Sequence, residues 1–294
     1  MSKLNLAMQK SGRLTEKTLG IFKQAGIDFD IKKNALFASS TNFPLELMLV
    51  RDDDIPEYVL DGTCDLGVVG RNVLEEKVNQ NGRFNDAIEI LKELDFGQCR
   101  LSLAIDSKLK YEGPSYFNGK KVATSYPNIL NRYFQKNEIR ADVIKISGSV
   151  EITPKLGVAD AICDIVSTGG TLKANGLKEV LTILESQSVL IQTPVNLTAE
   201  KKQILERLLQ RIEGVMMAQK NKYIMMNADR SSIDDIKKLL PGADEPSVMP
   251  LAGSGDKVAV HLVCREDIFW ETMENLKKVG ASSILVLPIE KYLV

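Results

Sequence analysis

The sequence predicts an α/β protein with a two-lobed region followed by a smaller C-terminal domain of order β-α-β-β-α-β. Over the first two-thirds of the chain, short apolar runs alternate with amphipathic helical segments, which is typical of parallel sheets covered by helices. A polar stretch, NQNGRFNDAIEILKELDFGQCR, separates a first set of these units from a second. The pattern changes again from Tyr223 onward, and this change marks the predicted start of the C-terminal domain.

The first set of units begins with LNLAM, a predicted strand, and continues with the helical segment SGRLTEKTLGIFKQAG. In that segment Leu14, Thr18, Leu19 and Phe22 fall on one helical stripe, and Gly26 ends the helix. The runs LELMLVR, IPEYVLDG and CDLGVVG then repeat the order strand, helix, strand. A proline at the start of the predicted helix and a glycine just after it are the expected punctuation.

The second set contains the predicted strands CRLSLAI, KKVATSY, ADVIKI and ADAICDIV, with a helix from Asn128 to Lys136. SVLIQTP is predicted as a strand that follows the second lobe and returns to the first. NLTAEKKQILERLLQRIEGVMMAQK is predicted as a long amphipathic helix with Leu205, Leu208, Leu209 and Ile212 as its apolar stripe.

In the C-terminal region KYIMMNA, SVMPL, KVAVHLVC and SSILVLPI are predicted strands. SSIDDIKKLLPG, with serine at its N-cap, and DIFWETMENLKKVG are predicted helices. This order is that of a split-βαβ, ferredoxin-like domain. Such a domain either binds a small regulatory ligand or serves oligomerisation, and the fold alone does not decide between them.

Composition narrows the class of protein. The formal net charge of −1 gives no reason to expect nucleic acid or an anionic membrane as partner. The start MSKLNLAMQKSGRL lacks the apolar core of a signal peptide, and no apolar run approaches the length of a membrane span. The sequence therefore predicts a cytoplasmic protein.

Cysteine and histidine usage restricts the chemistry further. Cys64, Cys99, Cys163 and Cys264 lie far apart without a C-x-x-C pair, so plain and mostly buried thiols in a reducing compartment are expected. The single histidine, His261, argues against Ser-His-Asp triads and multi-histidine metal centres. It lies in the strand pattern KVAVHLVCR, where a packed or edge histidine is expected.

The stretch DAICDIVSTGGTLKANG combines carboxylates, a loop of small and hydroxylated residues and a helix that begins near Leu172. Ser167–Thr171, the STGGT loop, offers hydroxyls and backbone N–H groups just before that helix, and its glycines allow close backbone approach. Asp160 and Asp164 are spaced to lie on one strand face. The pattern predicts a site for a phosphate attached to a group with vicinal hydroxyls. In the alternative reading, Asp164 caps a turn that the glycines only bend.

This stretch resembles the phosphoribosyl-pyrophosphate (PRPP) loop of the ATP phosphoribosyltransferase family. The likeness extends along nearly the whole chain, through AMQKSGRL, VRDDDIPEYVLDGTCDLGVVG, LDFGQCRLSLA, KKVATSYPN, SGSVEITPKLGVADAICDIVSTGGTLKANGLKEV, KYIMMNA and FWETMENLKKVGASSILVLPIEK. The C-terminal domain is like that of the family's long form. The resemblance implies a two-lobed, periplasmic-binding-protein-like catalytic region, with lobe I at 1–97 and 181–220 and lobe II at 98–180. A ferredoxin-like regulatory domain would follow at 221–294.

The resemblance implies transfer of the phosphoribosyl group of PRPP to N1 of ATP, with release of pyrophosphate, as the first step of histidine biosynthesis. The residues implied to bind PRPP are Glu151, Asp160, Asp164, Ser167, Thr168, Gly169, Gly170 and Thr171. Those implied to face ATP are Gln9, Lys10, Arg13, Asp95, Phe96, Gln98 and Arg100. Those implied to act in catalysis are Lys10, Arg51 and Asp164. Each basic residue has an alternative reading as a solvated surface charge.

The resemblance also implies a cofactor, an inhibitor and an assembly. Mg²⁺ would be held mainly by substrate phosphates, so no protein ligand is assigned to it. The residues implied to bind the inhibitor histidine are Asn227, Ser247, Val248, Ala281, Ser282 and Ser283, although ASSIL also reads as a plain helix end and strand start. A homo-oligomer in hexamer–dimer equilibrium is expected. Arg71 departs from the family pattern, which often has an acidic residue at that position.

Two alternative functions remain open at this level. A non-enzymatic two-lobed binder of a small molecule would show similar sheets and a similar cleft, but it would release no pyrophosphate. A phosphoribosyltransferase that acts on a free base or an amino donor would share the STGGT loop. Only the likeness in MQKSGR and LDFGQCR points to ATP as the acceptor.

Overall fold

The structure, a computed structural model, describes residues 2–77, 87–240, 245–253, 255–265 and 270–293. The part of the predicted polar stretch from Asn79 to Asp86, the end of the predicted helix SSIDDIKKLLPG and the start of DIFWETMENLKKVG lie outside these residues. By its internal contacts the chain divides into two units, Met1–Leu19 with Asp28–Ile204 and Gly20–Ile27 with Leu205–Val294. Among the described residues no helix has the length and apolarity needed to cross a membrane.

The strands of the first unit are β1 (Leu4–Gln9), β2 (Phe37–Ser39), β3 (Leu45–Val50), β4 (Leu66–Gly70), β5 (Glu89–Glu93), β6 (Cys99–Asp106), β7 (Lys121–Thr124), β8 (Asp142–Lys145), β9 (Ala161–Val166), β10 (Leu177–Ser186) and β11 (Ser188–Gln192). Its helices are α2 (Ile55–Leu60), α3 (Arg71–Lys77), α4 (Pro127–Lys136) and α5 (Gly170–Ala174). Two helices span the unit boundaries, α1 (Arg13–Gln24) and α6 (Ala199–Lys220).

The first sheet has the strand order β2-β3-β1-β4-β11-β5. The predicted parallel pairing is confirmed for β1 with its neighbours β3 and β4. The sheet as a whole is mixed, because β2, β5 and β11 pair antiparallel. β2 and β5 were not predicted as strands. β11 is the predicted returning strand, and it is antiparallel because the chain enters it from the other lobe. β5 lies inside the stretch that was predicted to be only a polar separator.

The second sheet has the order β10-β6-β9-β7-β8, with β7 parallel to both β8 and β9. β6 runs antiparallel to β9 and to β10. β10 was not predicted, and it pairs with β6 as far as Ser186. The chain therefore returns to the first sheet at Gln187 rather than at residue 181.

Two closely paired chain segments connect the sheets. The N–H of Leu94 donates to the carbonyl of Ser188 at 3.0 Å, and the N–H of Ser188 donates to that of Phe96 at 2.9 Å. Gly97 has a φ of +70°, and a Cβ there would lie 2.5 Å from Leu14 Cδ2 and 2.8 Å from Ser188 Oγ. Because of both the left-handed backbone and the lack of space, this crossing requires glycine.

Polar contacts also join the lobes through α3 and α4. The Asn72 side-chain amide donates to Tyr126 Oη at 2.9 Å. The Glu76 carboxylate accepts the backbone N–H groups of Asn128 and Ile129 at 2.9 and 3.0 Å. Tyr126, at the N-cap of α4, makes no side-chain capping bond. The Glu76 carboxylate of the first lobe therefore caps α4 of the second.

The second unit contains β12 (Asn221–Asp229), α7 (Ile233–Leu239), β13 (Ser247–Pro250), β14 (Lys257–Arg265), α8 (Trp270–Lys278) and β15 (Ser282–Pro288). Its sheet order β13-β14-β12-β15 is antiparallel throughout, which confirms the predicted ferredoxin-like domain. Ile224, Val260 and Leu276 lie in its core. Ser232 stands at the predicted N-cap of α7, but its side chain makes no capping bond.

Candidate active site

A cavity of about 460 Å³ opens where β9 ends in the STGGT loop. The residues that line it are Arg13, Glu151, Asp164, Ile165, Val166, Ser167, Thr168, Gly169, Gly170, Thr171 and Leu172. The cavity therefore contains the whole STGGT loop and two of the three carboxylates implied to bind PRPP, Glu151 and Asp164. We refer to it as the loop cavity.

The shape of the STGGT loop depends on its glycines. Gly169 has a φ of +78°, a left-handed conformation in which a side chain is strained. Gly170 starts α5, which is only five residues long, so little helix dipole is available. The hydroxyls of Ser167, Thr168 and Thr171 and the backbone N–H groups are therefore the donors that the loop offers to an anion.

Asp164 faces the loop cavity from the interior of β9. Its carboxylate is half-buried and accepts the N–H of Ile165 at 2.8 Å. Burial raises the pKa of Asp164, the bond from Ile165 opposes this, and the charge of Glu151 raises it further. Two carboxylates beside a loop of hydroxyl and amide donors suit a ligand that is both an anion and a hydrogen-bond donor.

Asp160 lies outside the lining of the loop cavity. It is exposed ahead of β9, and its carboxylate accepts the N–H of Lys121 at 2.8 Å. Its own N–H donates to the Lys121 carbonyl at 2.8 Å. The structure therefore gives Asp160 a role at the start of β7, away from its predicted partners.

Arg100 lies beside the loop on β6, and its side-chain contacts stay within the chain. Its Nε and Nη2 donate to the two carboxylate oxygens of Glu179, each at 2.5 Å. Its Nη1 donates to the Ser167 carbonyl at 3.1 Å. Arg100, which was predicted to face ATP, therefore has a bidentate internal partner.

The other predicted basic residues lie at neighbouring strand ends. Lys10 and Arg51 are exposed just after β1 and β3, and the N–H of Lys10 donates to the Val50 carbonyl at 2.9 Å. Arg13 lines the loop cavity. Gln9 is the last residue of β1.

The remaining residues predicted to face ATP lie at the crossing between the sheets. Phe96 is buried there, whereas Asp95 and Gln98 are exposed. Gln98 Nε2 donates to the Asp95 carbonyl at 3.3 Å. This segment lies where the chain passes from the first sheet to the second.

A second cavity of about 440 Å³ was not predicted from the sequence. The residues that line it are Asp52, Asp53, Val73, Glu76, Lys77, Ser125, Tyr126, Lys145, Ile146, Ser147 and Gly148. Burial raises the pKa of Tyr126, the bond from Asn72 opposes this, and Asp164 raises it further. Tyr126 follows β7, and β7 pairs with β9, the strand that carries Asp164. The acidic run after Arg51 was the signal that could have indicated this region.

Arg71, whose role the sequence left open, lies at the crossing between the lobes. Its N–H donates to the Gln187 carbonyl at 2.9 Å, and its Nη1 donates to Glu93 at 3.1 Å. Gln187 Nε2 donates to the same Glu93 carboxylate at 2.6 Å. The Glu93 carboxylate thus accepts hydrogen bonds from both Arg71 and Gln187. These contacts hold the segment at Gln187, where the chain returns to the first sheet.

In the C-terminal domain the residues predicted to bind histidine form two groups. Asn227 pairs with Ser282 across β12 and β15, and Ser282 Oγ donates to the Asn227 carbonyl at 3.3 Å. Ala281 is buried and Ser283 has a φ of +50° beside them. The second group consists of Ser247 and Val248, which lie on β13 with β14 between them and β12.

The single histidine and the cysteines are placed as predicted. His261 is half-buried in β14 and shares a hydrogen bond with the hydroxyl of Tyr223. All four cysteines are free thiols, and Cys99 alone is not fully buried. Burial, with a smaller contribution from Asp65, raises the pKa of Cys64 to about 11, which is typical of an inert thiol.

The described residues contain no group of three or more His, Cys, Asp or Glu side chains arranged to hold a metal ion. The loop cavity offers the carboxylates of Glu151 and Asp164. Mg²⁺ commonly binds one or two carboxylates and completes its coordination with substrate phosphates and water. The donor set therefore fits Mg²⁺ bound together with a phosphorylated substrate.

The two mixed sheets and the loop cavity define a two-lobed α/β protein whose ligand site lies at strand ends. A family model described as ATP phosphoribosyltransferase matches residues 51–214, and one described as HisG, C-terminal domain matches residues 218–291. The chain therefore belongs to the ATP phosphoribosyltransferase family and, since it has both parts, to its long form. It is a pentosyltransferase of histidine biosynthesis.

One solved structure supports the same family relationship, and two more distant ones also match. An ATP phosphoribosyl transferase (HisG:HisZ) complex from Thermotoga maritima matches with 29% identity and a TM-score of 0.59, over 71% of this chain and 98% of its own. The extracellular amino-acid ABC transporter protein YtmK from Bacillus subtilis matches at 9% identity and a TM-score of 0.48, over 74% of this chain and 93% of its own. The arginine-bound form of truncated ArgBP from Thermotoga maritima matches at 12% identity and a TM-score of 0.45, over 72% and 95%. The latter two are too distant to bear on function.

Proposed function

We propose that this chain transfers the phosphoribosyl group of PRPP to N1 of ATP and releases pyrophosphate. The observation that carries the proposal is the common cavity of the STGGT loop, Glu151 and Asp164. A phosphate bound by the loop would have its ribose next to the two carboxylates. Membership in the ATP phosphoribosyltransferase family supports ATP as the acceptor.

In this proposal the STGGT loop binds the 5-phosphate through its hydroxyls and backbone N–H groups. Asp164 and Glu151 accept hydrogen bonds from the ribose hydroxyls, each worth about 1.5–3 kcal/mol because the acceptor is charged. These contacts fix the position of C1 and leave one of its faces free for the attacking nitrogen. The main contribution of the protein is then orientation.

Adenine N1 attacks through a lone pair and has no proton to lose, so the reaction requires no general base. Lys10 and Arg51, at the ends of the neighbouring strands β1 and β3, stabilise the negative charge of the departing pyrophosphate. Mg²⁺, held mainly by substrate phosphates, would neutralise further charge on the leaving group. Direct displacement inverts C1 and gives the β-glycosidic product.

Histidine as feedback inhibitor belongs to the same proposal. The group Asn227, Ala281, Ser282 and Ser283 offers side-chain and backbone donors for a carboxylate and acceptors for an ammonium group. We further propose a homo-oligomer in hexamer–dimer equilibrium that acts in the cytoplasm. The alternative for the C-terminal domain is assembly without ligand binding.

The test is pyrophosphate release from ATP and PRPP with Mg²⁺, measured with and without histidine. Turnover that requires both substrates and falls with histidine supports the whole proposal. Turnover that is insensitive to histidine leaves the reaction standing and removes the regulatory role. Replacement of ATP by free purine bases or ammonia tests the other acceptor classes, and turnover with one of them alone would contradict ATP as the acceptor.

A further inference from the structure

Glu179 and Arg100 form an ion pair next to the STGGT loop, although Arg100 had been expected to face ATP. Arg100 Nε and Nη2 donate to the two carboxylate oxygens of Glu179, each at 2.5 Å. This planar, bidentate arrangement is the best geometric match between a guanidinium and a carboxylate. The side chains are 35% and 24% exposed, so the pair is shielded from part of the solvent. Hydrogen bonding to Arg100, the largest effect, lowers the pKa of Glu179, in agreement with a carboxylate that stays ionised.

The pair belongs to a larger polar cluster at the end of the second sheet. Ser102, which is fully buried on β6, donates its hydroxyl to Glu179 at 2.8 Å. Thr182 donates to the same carboxylate oxygen at 3.2 Å. The register of β10 shifts between Glu179 and Leu181, at the point where the Glu179 carboxylate meets these donors. The cluster therefore holds Glu179 in one orientation.

The third contact of Arg100 connects this cluster to the loop. Its Nη1 donates to the carbonyl of Ser167 at 3.1 Å, and Ser167 is the first residue of the STGGT loop. Because a trans peptide unit is planar, the N–H of Thr168 must point away from the carbonyl that Arg100 holds. Thr168 lines the loop cavity, so the bond orients the first peptide of the loop.

We propose that Arg100, held by Glu179, is a positioning residue that presets the STGGT loop for the 5-phosphate of PRPP, and that it does not bind ATP. This inference rests on the proposed function of the loop. A guanidinium that is saturated by a bidentate carboxylate attracts a further anion weakly, since the negative charge of Glu179 offsets its own. A preset loop lowers the ordering cost of binding the phosphate.

The experiment measures KM for PRPP and KM for ATP by pyrophosphate release in Glu179→Gln and Arg100→Lys, with thermal unfolding as a check of folding. Lysine keeps the positive charge but cannot hold Glu179 and Ser167 together. The matched control is Glu185→Gln, because Glu185 stands opposite Arg100 in the β6–β10 register and is exposed. Binding of ribose 5-phosphate by calorimetry provides a readout that is independent of turnover.

Both variants are expected to raise KM for PRPP about tenfold and to weaken ribose 5-phosphate binding similarly, with KM for ATP within about twofold of the wild type. Glu185→Gln should match the wild type. A selective rise of KM for ATP in Arg100→Lys, or an unchanged KM for PRPP in both variants, overturns the inference. If Glu179→Gln does not fold, Ser102→Ala, which removes one bond to Glu179, takes its place. A wild-type protein that releases no pyrophosphate refutes the proposed function itself, which is a different result.

Discussion

Asp164→Asn is expected to separate activity from stability. Asparagine has nearly the same shape and keeps an oxygen for the N–H of Ile165, which now lies 2.8 Å from the carboxylate. The variant removes the negative charge that the ribose hydroxyls would meet. The loss of one or two charge-assisted hydrogen bonds of about 1.5 kcal/mol each lowers kcat/KM for PRPP about 10- to 150-fold.

Stability should change in the opposite direction. Burial and Glu151 raise the pKa of Asp164, so the ionised carboxylate is disfavoured in the folded state relative to the unfolded state. This cost is present at pH values above the folded-state pKa and disappears as pH falls below the unfolded-state value. At neutral pH the variant should therefore be at least as stable as the wild type, and the difference should vanish in acid.

The assays are pyrophosphate release at varied PRPP concentration and urea unfolding at neutral and acidic pH. Asp106→Asn is the control, because Asp106 is an exposed carboxylate of the same sheet whose partner is the nearby Lys108 N–H. The reasoning is refuted by wild-type kcat/KM in Asp164→Asn. It is equally refuted by a clear loss of stability at neutral pH in that variant and not in the control.

Three further changes have expected outcomes. Gly97→Ala should lower the free energy of unfolding by about 1–3 kcal/mol more than Gly119→Ala does. Both glycines have a left-handed φ, but only a Cβ at Gly97 meets neighbouring atoms. Equal decreases of the two unfolding free energies in a denaturant titration would contradict the packing argument. Thr171→Val should raise KM for PRPP about tenfold by removing a donor to the phosphate, with KM for ATP as the internal comparison. Lys201→Met should destabilise the chain by about 3 kcal/mol, because it leaves the buried carboxylate of Asp65 without a counter-ion. In the wild type the Lys201 ammonium lies 2.7 Å from that carboxylate. A melting temperature unchanged from the wild type would exclude this destabilisation.

Much of the fold could be predicted from local sequence patterns, and the strands that the prediction missed were missed for local reasons. The strands that were predicted are apolar runs such as β4, which is buried along its whole length. β10 was missed because it is mostly half-buried and mixes charged with apolar residues. β5 was missed for the same reason, since none of its residues is fully buried.

The candidate site was predictable where one continuous segment supplies it. Asp164 and the STGGT loop are adjacent in sequence, and their residue types alone indicate a phosphate with hydroxyl-bearing neighbours. Glu179 and Arg100 are 79 residues apart, and their pairing depends on the bulged register of an unpredicted strand. The second cavity could not be predicted, because its lining residues come together only where the two lobes meet, and the hydrophobic periodicity of the sequence does not show how the lobes meet.

The cap that Glu76 provides for α4 restricts how the two lobes can separate. If the lobes moved apart along α3 and α4, the N–H groups of Asn128 and Ile129 would lose their acceptor, and a half-buried carboxylate would lose its donors. Opening at that edge is therefore costly. The lobes should stay in contact along α3 and α4, and any separation should be largest at the edge farthest from these two helices.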